Sequence, residues 1–194
     1  MGKEVFLVPR DMLTRNCLTG IELTVYLSLL DTFNFYDRTV ATNDRDILFN
    51  LLGVEEPTKA QRKMISLAMS GLMGKGAIVG KQPSQGRYLI QCYESFGIWE
   101  GKSKYGYIMV DYGRVRTLIK SCADPREWQK MVVYYYDLMC HANAEGECRY
   151  SLEYFAEHTG ATTTTLSKYN KRLVELGLIK IIRHEKSTNT YQII

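Results

Sequence analysis

The sequence predicts an α+β chain of two similar domains, each mainly helical with a small antiparallel hairpin, the first over residues 1–98 and the second over 99–194. Three observations predict it. The same order of elements occurs twice: short strand, capped helix, short strand, two close helices, hairpin. The two copies keep one register, because Leu72, Met73, Gly76 and Ile78 align with Leu173, Val174, Gly177 and Ile179, and both 173 − 72 and 177 − 76 equal 101. Between the copies, Glu94 to Lys104 is rich in Gly, Ser and charge and reads as a connector. A chain of 194 residues has room for two units of under about 100 residues each.

In the first half, Val5 to Val8 is an apolar strand, and Thr19, Gly20, Ile21 and Glu22 form a T-x-x-E capping box that starts a helix. Its apolar residues, Ile21, Leu23, Val25, Leu27, Leu29 and Leu30, spread around the helix as in the central helix of a small domain. The next helix is expected to start at Thr42, with Asp44 suiting its positive end. Gly53 is the turn glycine, and Val54 to Pro57 lengthen the turn. A second capping box, Thr58 to Gln61, opens a helix running to Met73 with a buried stripe of Ile65, Ala68, Met69 and Leu72. Gly76 is expected in the left-handed conformation that ends it, and Gln82 to Gly86 form the hairpin tip.

In the second half, Tyr105 to Val110 is the matching strand, followed by Asp124 as N-cap and Pro125 as first helical residue. Trp128, Met131, Val132, Tyr135, Leu138 and Met139 supply an apolar face. Ser151 with Glu153 starts the next helix, Thr163 to Glu175 is the one after, and Gly177 ends it ahead of a hairpin whose tip is Glu185 to Asn189.

The net charge of +4 is too small to name a partner, but its distribution is informative. From Thr163 onward there are six basic residues (Lys168, Lys171, Arg172, Lys180, Arg183, Lys186) against two acids; from Asp124 to Thr162 there are three against seven. In the first half, Lys59, Arg62, Lys63, Lys75, Lys81 and Arg87 lie between Glu56 and Glu94 with no acid among them. Positive charge is therefore segregated onto the third helix and hairpin of each copy, which favours a polyanionic partner.

Leu152 to Lys171 carries the most specific pattern. Ala156 is small where two helices cross, Gly160 sits at the turn, and Leu166 and Tyr169 face inward. A small residue, a glycine four later and buried apolar residues six and nine beyond that resemble the helix-turn-helix family, and with the following hairpin the unit resembles a winged helix domain. That resemblance implies a second helix lying in the DNA major groove, with contacts from Thr162, Thr163, Thr164, Ser167, Lys168 and Lys171, Asn170 and Arg172 flanking them, and Arg183 and Lys186 in the wing. Hydroxyls suit base edges and phosphates, threonine methyls suit thymine, and lysines neutralise phosphate. In the first half the longer turn departs from the pattern; Lys59, Gln61, Arg62, Lys63 and Ser66 are the groove candidates, joined by Lys81 and Arg87.

The opening of the chain, Phe6, Val8 and Pro9 followed by the apolar helix to Leu30, resembles the N-terminal winged helix of replication initiators from Gram-positive plasmids and phages. The resemblance implies action on a mobile element. The expected function is sequence-specific binding of double-stranded DNA in replication initiation or transcriptional regulation, with a protein-docking module that binds no nucleic acid as the competing class. Homodimerisation or contact with the replication or transcription machinery are the further partner candidates.

Other classes fit poorly. The glycines lack a phosphate-loop spacing, no Ser, His and acid stand in a nucleophile setting, and no enzyme or cofactor is expected. The five cysteines are odd in number and far apart, so they read as buried free thiols; His141, His158 and His184 read as isolated, and no metal site is expected. No apolar run is long enough for a signal peptide or membrane span, which points to a cytoplasmic protein.

Overall fold

The computed structural model describes residues 5–10, 17–31, 40–91, 106–185 and 188–194. The described residues form an α+β protein of seven helices and three small antiparallel sheets. Compactness divides the chain after Ile119. The expected boundary at 98/99 falls outside the described residues.

The first unit contains β1 (Val5–Pro9), α1 (Gly20–Asp31), β2 (Val40–Asn43), α2 (Asp44–Leu52), α3 (Lys59–Gly74), β3 (Val79–Ser84), β4 (Arg87–Gln91), β5 (Tyr107–Asp111) and α4, which spans Tyr112–Lys120. Every residue of α1 from Glu22 to Leu30 is buried. A helix buried all round has no solvent face to spare, and α2 and α3 pack on it. The predicted stripe of α3, Ile65, Ala68, Met69 and Leu72, is its buried face. Strands pair in the order β2-β4-β3, with Val40 opposite Ile90 and Val79 opposite Gln91.

Strand β5 behaves differently from its sequence-based role as the second copy's own first strand. It pairs antiparallel with β1, Val5 opposite Asp111 and Pro9 opposite Tyr107.

The second unit runs through α5 (Pro125–His141), β6 (Glu147–Cys148), α6 (Leu152–Thr159), α7 (Thr163–Glu175), β7 (Ile179–Ile182) and β8 (Thr190–Ile193). Its sheet order is β6-β8-β7, so in the three-stranded sheet of each unit the last strand is central and the strand before the helix pair lies on one edge. Trp128, Met131, Val132, Tyr135, Leu138 and Met139 are all buried, as the apolar face of α5 requires.

The helix ends follow from local chemistry. Thr58 and Gln61 cap each other's backbone, Asp124 accepts from the Arg126 amide, and Ser151 from the Tyr154 amide. One expected cap moves by a residue. Thr42 stays in β2, opposite Tyr88, and Asn43 caps α2 by accepting from the amides of Arg45 and Asp46.

The 101-residue register reappears in the backbone. After α3 the amides of Lys75, Gly76 and Ala77 bond the carbonyls of Gly71, Met73 and Leu72; after α7 those of Leu176, Gly177 and Leu178 bond Arg172, Val174 and Leu173. Gly76 and Gly177 take φ of 65° and 66°, the left-handed state that lets the chain leave the helix and enter the hairpin. No described helix is long and apolar enough to cross a membrane.

Candidate nucleic-acid interface

In the second unit the helix pair α6–α7 turns on Gly160, φ 68°, and Ala161. Thr162 caps α7: its hydroxyl accepts from the Thr165 amide at 3.2 Å and pairs with the Thr165 hydroxyl at 2.9 Å. Leu166, Tyr169, Asn170 and Leu173 are buried. A helix that buries those positions must present the opposite face, and there Thr164, Lys168 and Lys171 are exposed while Thr163 and Ser167 are half-buried beside them. Thr162 is exposed too, although its hydroxyl is committed to the cap.

Arg172 is held on the protein. Its guanidinium donates to the Ser121 carbonyl at 2.9 Å and to Glu175 at 3.0 Å, so it anchors the segment before α5 to α7 and stands apart from the other cations. Arg183 is exposed just past β7. Lys186 lies outside the described residues.

Inside this unit the phenol of Tyr134 on α5 donates to the Asn170 side chain at 2.9 Å. Burial holds that phenol in its neutral form, well above its ordinary pKa. The bond fixes α7 against α5 without using charge.

In the first unit Gly53, φ 70°, ends α2, and the turn to α3 runs through residues 53–58, against 160–162 in the second. Lys59, Arg62 and Lys63 stand exposed on the first turns of α3, where no acid is present. Lys81 and Arg87 are exposed on the β3–β4 hairpin. Among the described residues none of Lys59, Arg62, Lys63, Lys168 or Lys171 has an acidic partner within 4.0 Å.

Two candidates of this unit are engaged with the protein itself. The Gln61 side-chain oxygen accepts from Thr58 in the capping box, at 2.8 Å from its amide. Ser66 is half-buried and donates to the Tyr88 phenol, which itself donates to Asp44 at 2.8 Å. Burial, reinforced by Asp44 and opposed by Ser66, pushes the Tyr88 pKa up to about 12. The triad is a buried clasp joining α2, α3 and β4.

Lys75 is likewise structural. Its ammonium meets the buried Glu22 carboxylate at 2.6 Å and donates to the Cys17 carbonyl at 2.9 Å. A Cβ at position 71 would collide with that carboxylate, which is why glycine stands inside α3 there. Burial raises the Glu22 pKa, but bonds from Lys75 and Thr19 outweigh it and leave the group below its ordinary value. Next to this pair Leu67 is 63% exposed, and an apolar groove of about 420 Å³ runs between α1 and α3, lined by Ile21, Ala60, Lys63, Met64 and Leu67 among others.

No protein-family model matches the chain, and no curated protein matches it in sequence.

Two further sequence-based readings change. His141 and His158 are not isolated, because the fold brings both to the buried carboxylate of Asp137. The His158 Nδ1 lies 3.1 Å from each carboxylate oxygen, and the His141 Nδ1 lies 3.4 Å from Oδ1 and 2.9 Å from the Asp137 carbonyl. Half of this grouping is legible as Asp137 and His141 four apart on one helix face. The cysteines also differ from expectation: Cys148 is buried, with its thiol pushed up to about 11 by desolvation, whereas Cys17 is exposed and Cys122 and Cys140 are partly so. Cys92 lies outside the described residues.

Proposed function

We propose that the two units are winged helix domains and that the chain is a sequence-specific double-stranded DNA-binding protein, with α3 and α7 as its reading helices. The observation that carries this reading is that each unit presents exposed cations without acidic partners on its third helix, while that helix's other face is buried. Each helix follows its predecessor after a short connection, residues 53–58 before α3 and 160–162 before α7, and both end in the same left-handed glycine before a two-stranded hairpin. That arrangement projects a helix and a hairpin to one ligand, which is the winged helix mode of entering a major groove and flanking it.

The residues assigned to DNA are Lys59, Arg62, Lys63, Lys81 and Arg87 in the first unit, and Thr163, Thr164, Ser167, Lys168, Lys171 and Arg183 in the second. Gln61, Ser66 and Arg172 are assigned to holding the reading helices in place, on the hydrogen bonds given above. The cellular role is replication initiation or transcriptional control on a plasmid or phage, as the resemblance of the chain's opening implies.

The test is a gel shift of the full chain against DNA from its own genomic neighbourhood and against random DNA, followed by footprinting. Preferential binding with protection of about two helical turns is expected, one half-site per unit. Binding neither DNA at moderate salt would overturn the reading in favour of a protein-docking module. Protection of a single turn would restrict DNA reading to one unit.

A further inference from the structure

We propose that Asp137, His141 and His158 form a binding site for a divalent transition-metal ion of the zinc type. One ligand atom from each residue lies within 4.8 Å of the others. A tetrahedral ion with bonds of about 2.0–2.2 Å holds its ligand atoms about 3.3–3.6 Å apart. The contacts of 3.1 Å from His158 Nδ1 to Asp137 and 3.4 Å from His141 Nδ1 to Asp137 are already near that spacing. Two imidazoles and one carboxylate are the donor set that zinc-type ions accept, with a fourth position left for water.

The carboxylate argues for a cation as well. Asp137 is only 4% exposed. Hydrogen bonds from two imidazoles compensate a buried carboxylate only in part, whereas a divalent ion supplies a coordination bond and two positive charges. The surroundings suit the ion too. His141 Nε2 lies 2.7 Å from the Tyr154 hydroxyl, which can either donate or accept. When Nδ1 exchanges its bond to the Asp137 carbonyl for the metal, Nε2 carries the hydrogen and Tyr154 accepts it, so the ring keeps Tyr154 as its orienting partner in both states.

The position gives the site a consequence. Asp137 and His141 belong to α5, whereas His158 is in the last turn of α6, two residues before Gly160. An ion held by all three ties α5 to the turn that launches α7. The half-exposed His158 is the member able to swing into place, and binding would slow opening of that turn.

The full chain, stripped with a chelator, is titrated with Co²⁺ and followed by visible d–d absorption, then challenged with Zn²⁺. One equivalent of Co²⁺ is expected to give tetrahedral-type bands that one equivalent of Zn²⁺ removes. Zn²⁺ should also raise the thermal midpoint and slow hydrogen exchange at residues 156–162. His158→Ala, at an exposed position, and Asp137→Asn, which keeps the side-chain shape, should each weaken binding by at least tenfold, while His184→Ala leaves it unchanged. Absence of stoichiometric bands in the wild type overturns the site. So does equal binding by wild type and His158→Ala, with both proteins folded by circular dichroism.

Discussion

Helices α3 and α7 share a backbone plan and differ in where they put their charge. On α3, Lys59, Arg62 and Lys63 crowd the first turns, where the helix dipole is already positive and no acid relieves it. On α7 the same end carries four threonines, Thr162 to Thr165, and the lysines come later, at 168 and 171. Concentrated cations at a helix start attract phosphate whatever the sequence, while hydroxyls and methyls at that position distinguish base edges. On the proposed function, the first unit supplies grip and the second supplies discrimination. The ties behind the helices differ in the same sense: an ion pair, Glu22–Lys75, joins α1 to the end of α3, and a neutral bond, Tyr134–Asn170, joins α5 to α7. The comparison shows that one repeated plan tolerates different polar chemistry wherever its backbone hydrogen bonds are kept.

The sharpest break of this comparison removes the charge cluster. The triple variant Lys59→Ala, Arg62→Ala, Lys63→Ala should lose affinity for specific and random DNA alike, by roughly a hundredfold at low salt. The slope of log affinity against log salt should fall by about three. Lys168→Ala with Lys171→Ala should lower the slope by about two. Equal slopes for both variants and wild type, measured by fluorescence anisotropy over a salt series, would refute the assignment of these faces to phosphate.

Next in size is the tie itself. Lys75→Met leaves the Glu22 carboxylate buried without its ammonium, at a cost of about 2 kcal/mol, below the figure for fully buried pairs because Lys75 is partly exposed. The pH dependence has a definite sign. A carboxylate whose folded-state pKa is lowered contributes stability that is present above its unfolded value and lost as pH falls through the folded one. Amide hydrogen exchange in α1 and α3 should therefore accelerate below the ordinary carboxylate range in wild type, and less so in Glu22→Gln. Exchange in α5 and α7, fixed by Tyr134–Asn170, should show no loss from this source.

Much of this plan is legible in the sequence because it is local. Capping boxes at Thr19 and Thr58, glycines at 76 and 177, and the stripe from Ile65 to Leu72 each act within a few residues, and the structure places them as read. Asn43 was missed as a cap because Thr42 is equally suited chemically; the pairing of Thr42 with Tyr88 across the sheet settles which one ends the strand. Partnerships over long separations carry no local signal. The pairing of β5 with β1, the bond from Arg172 to Ser121 and the arrival of His158 at Asp137 all belong to that class. For the same reason a helical pattern tells that Ser66 lies at the margin of a face, but not that Tyr88 claims its hydroxyl.

A smaller effect compares the two helix starts ahead of α3 and α7. Asn43 accepts from two amides, at 2.9 and 3.0 Å, and its own amide group donates to Asp46, whereas Ser151 accepts from one amide at 3.2 Å. Asn43→Ala should cost about 1.5 kcal/mol in the first unit and Ser151→Ala about 0.7 in the second. Urea titrations followed by hydrogen exchange in α2 and α6 would show the order, and a reversed order would mean that cap geometry does not control these two helices.

The smallest expected change is the most diagnostic for the second unit. Thr164 is exposed on the first turn of α7 and, unlike Thr162 and Thr165, its hydroxyl takes no part in the cap. Thr164→Ala should therefore leave the fold and the salt slope as they are, since it removes no charge and no capping bond. Its effect should appear only as reduced preference for the cognate site over random DNA, by somewhat less than about 1 kcal/mol, the lower end for a lost base-edge contact. Competition binding with a set of single-base variants would locate that loss at one or two neighbouring base pairs. A uniform loss across all sequences would place Thr164 on the phosphate backbone and leave discrimination either to Ser167, which keeps it on α7, or to the first unit, which reverses the division of roles between α3 and α7.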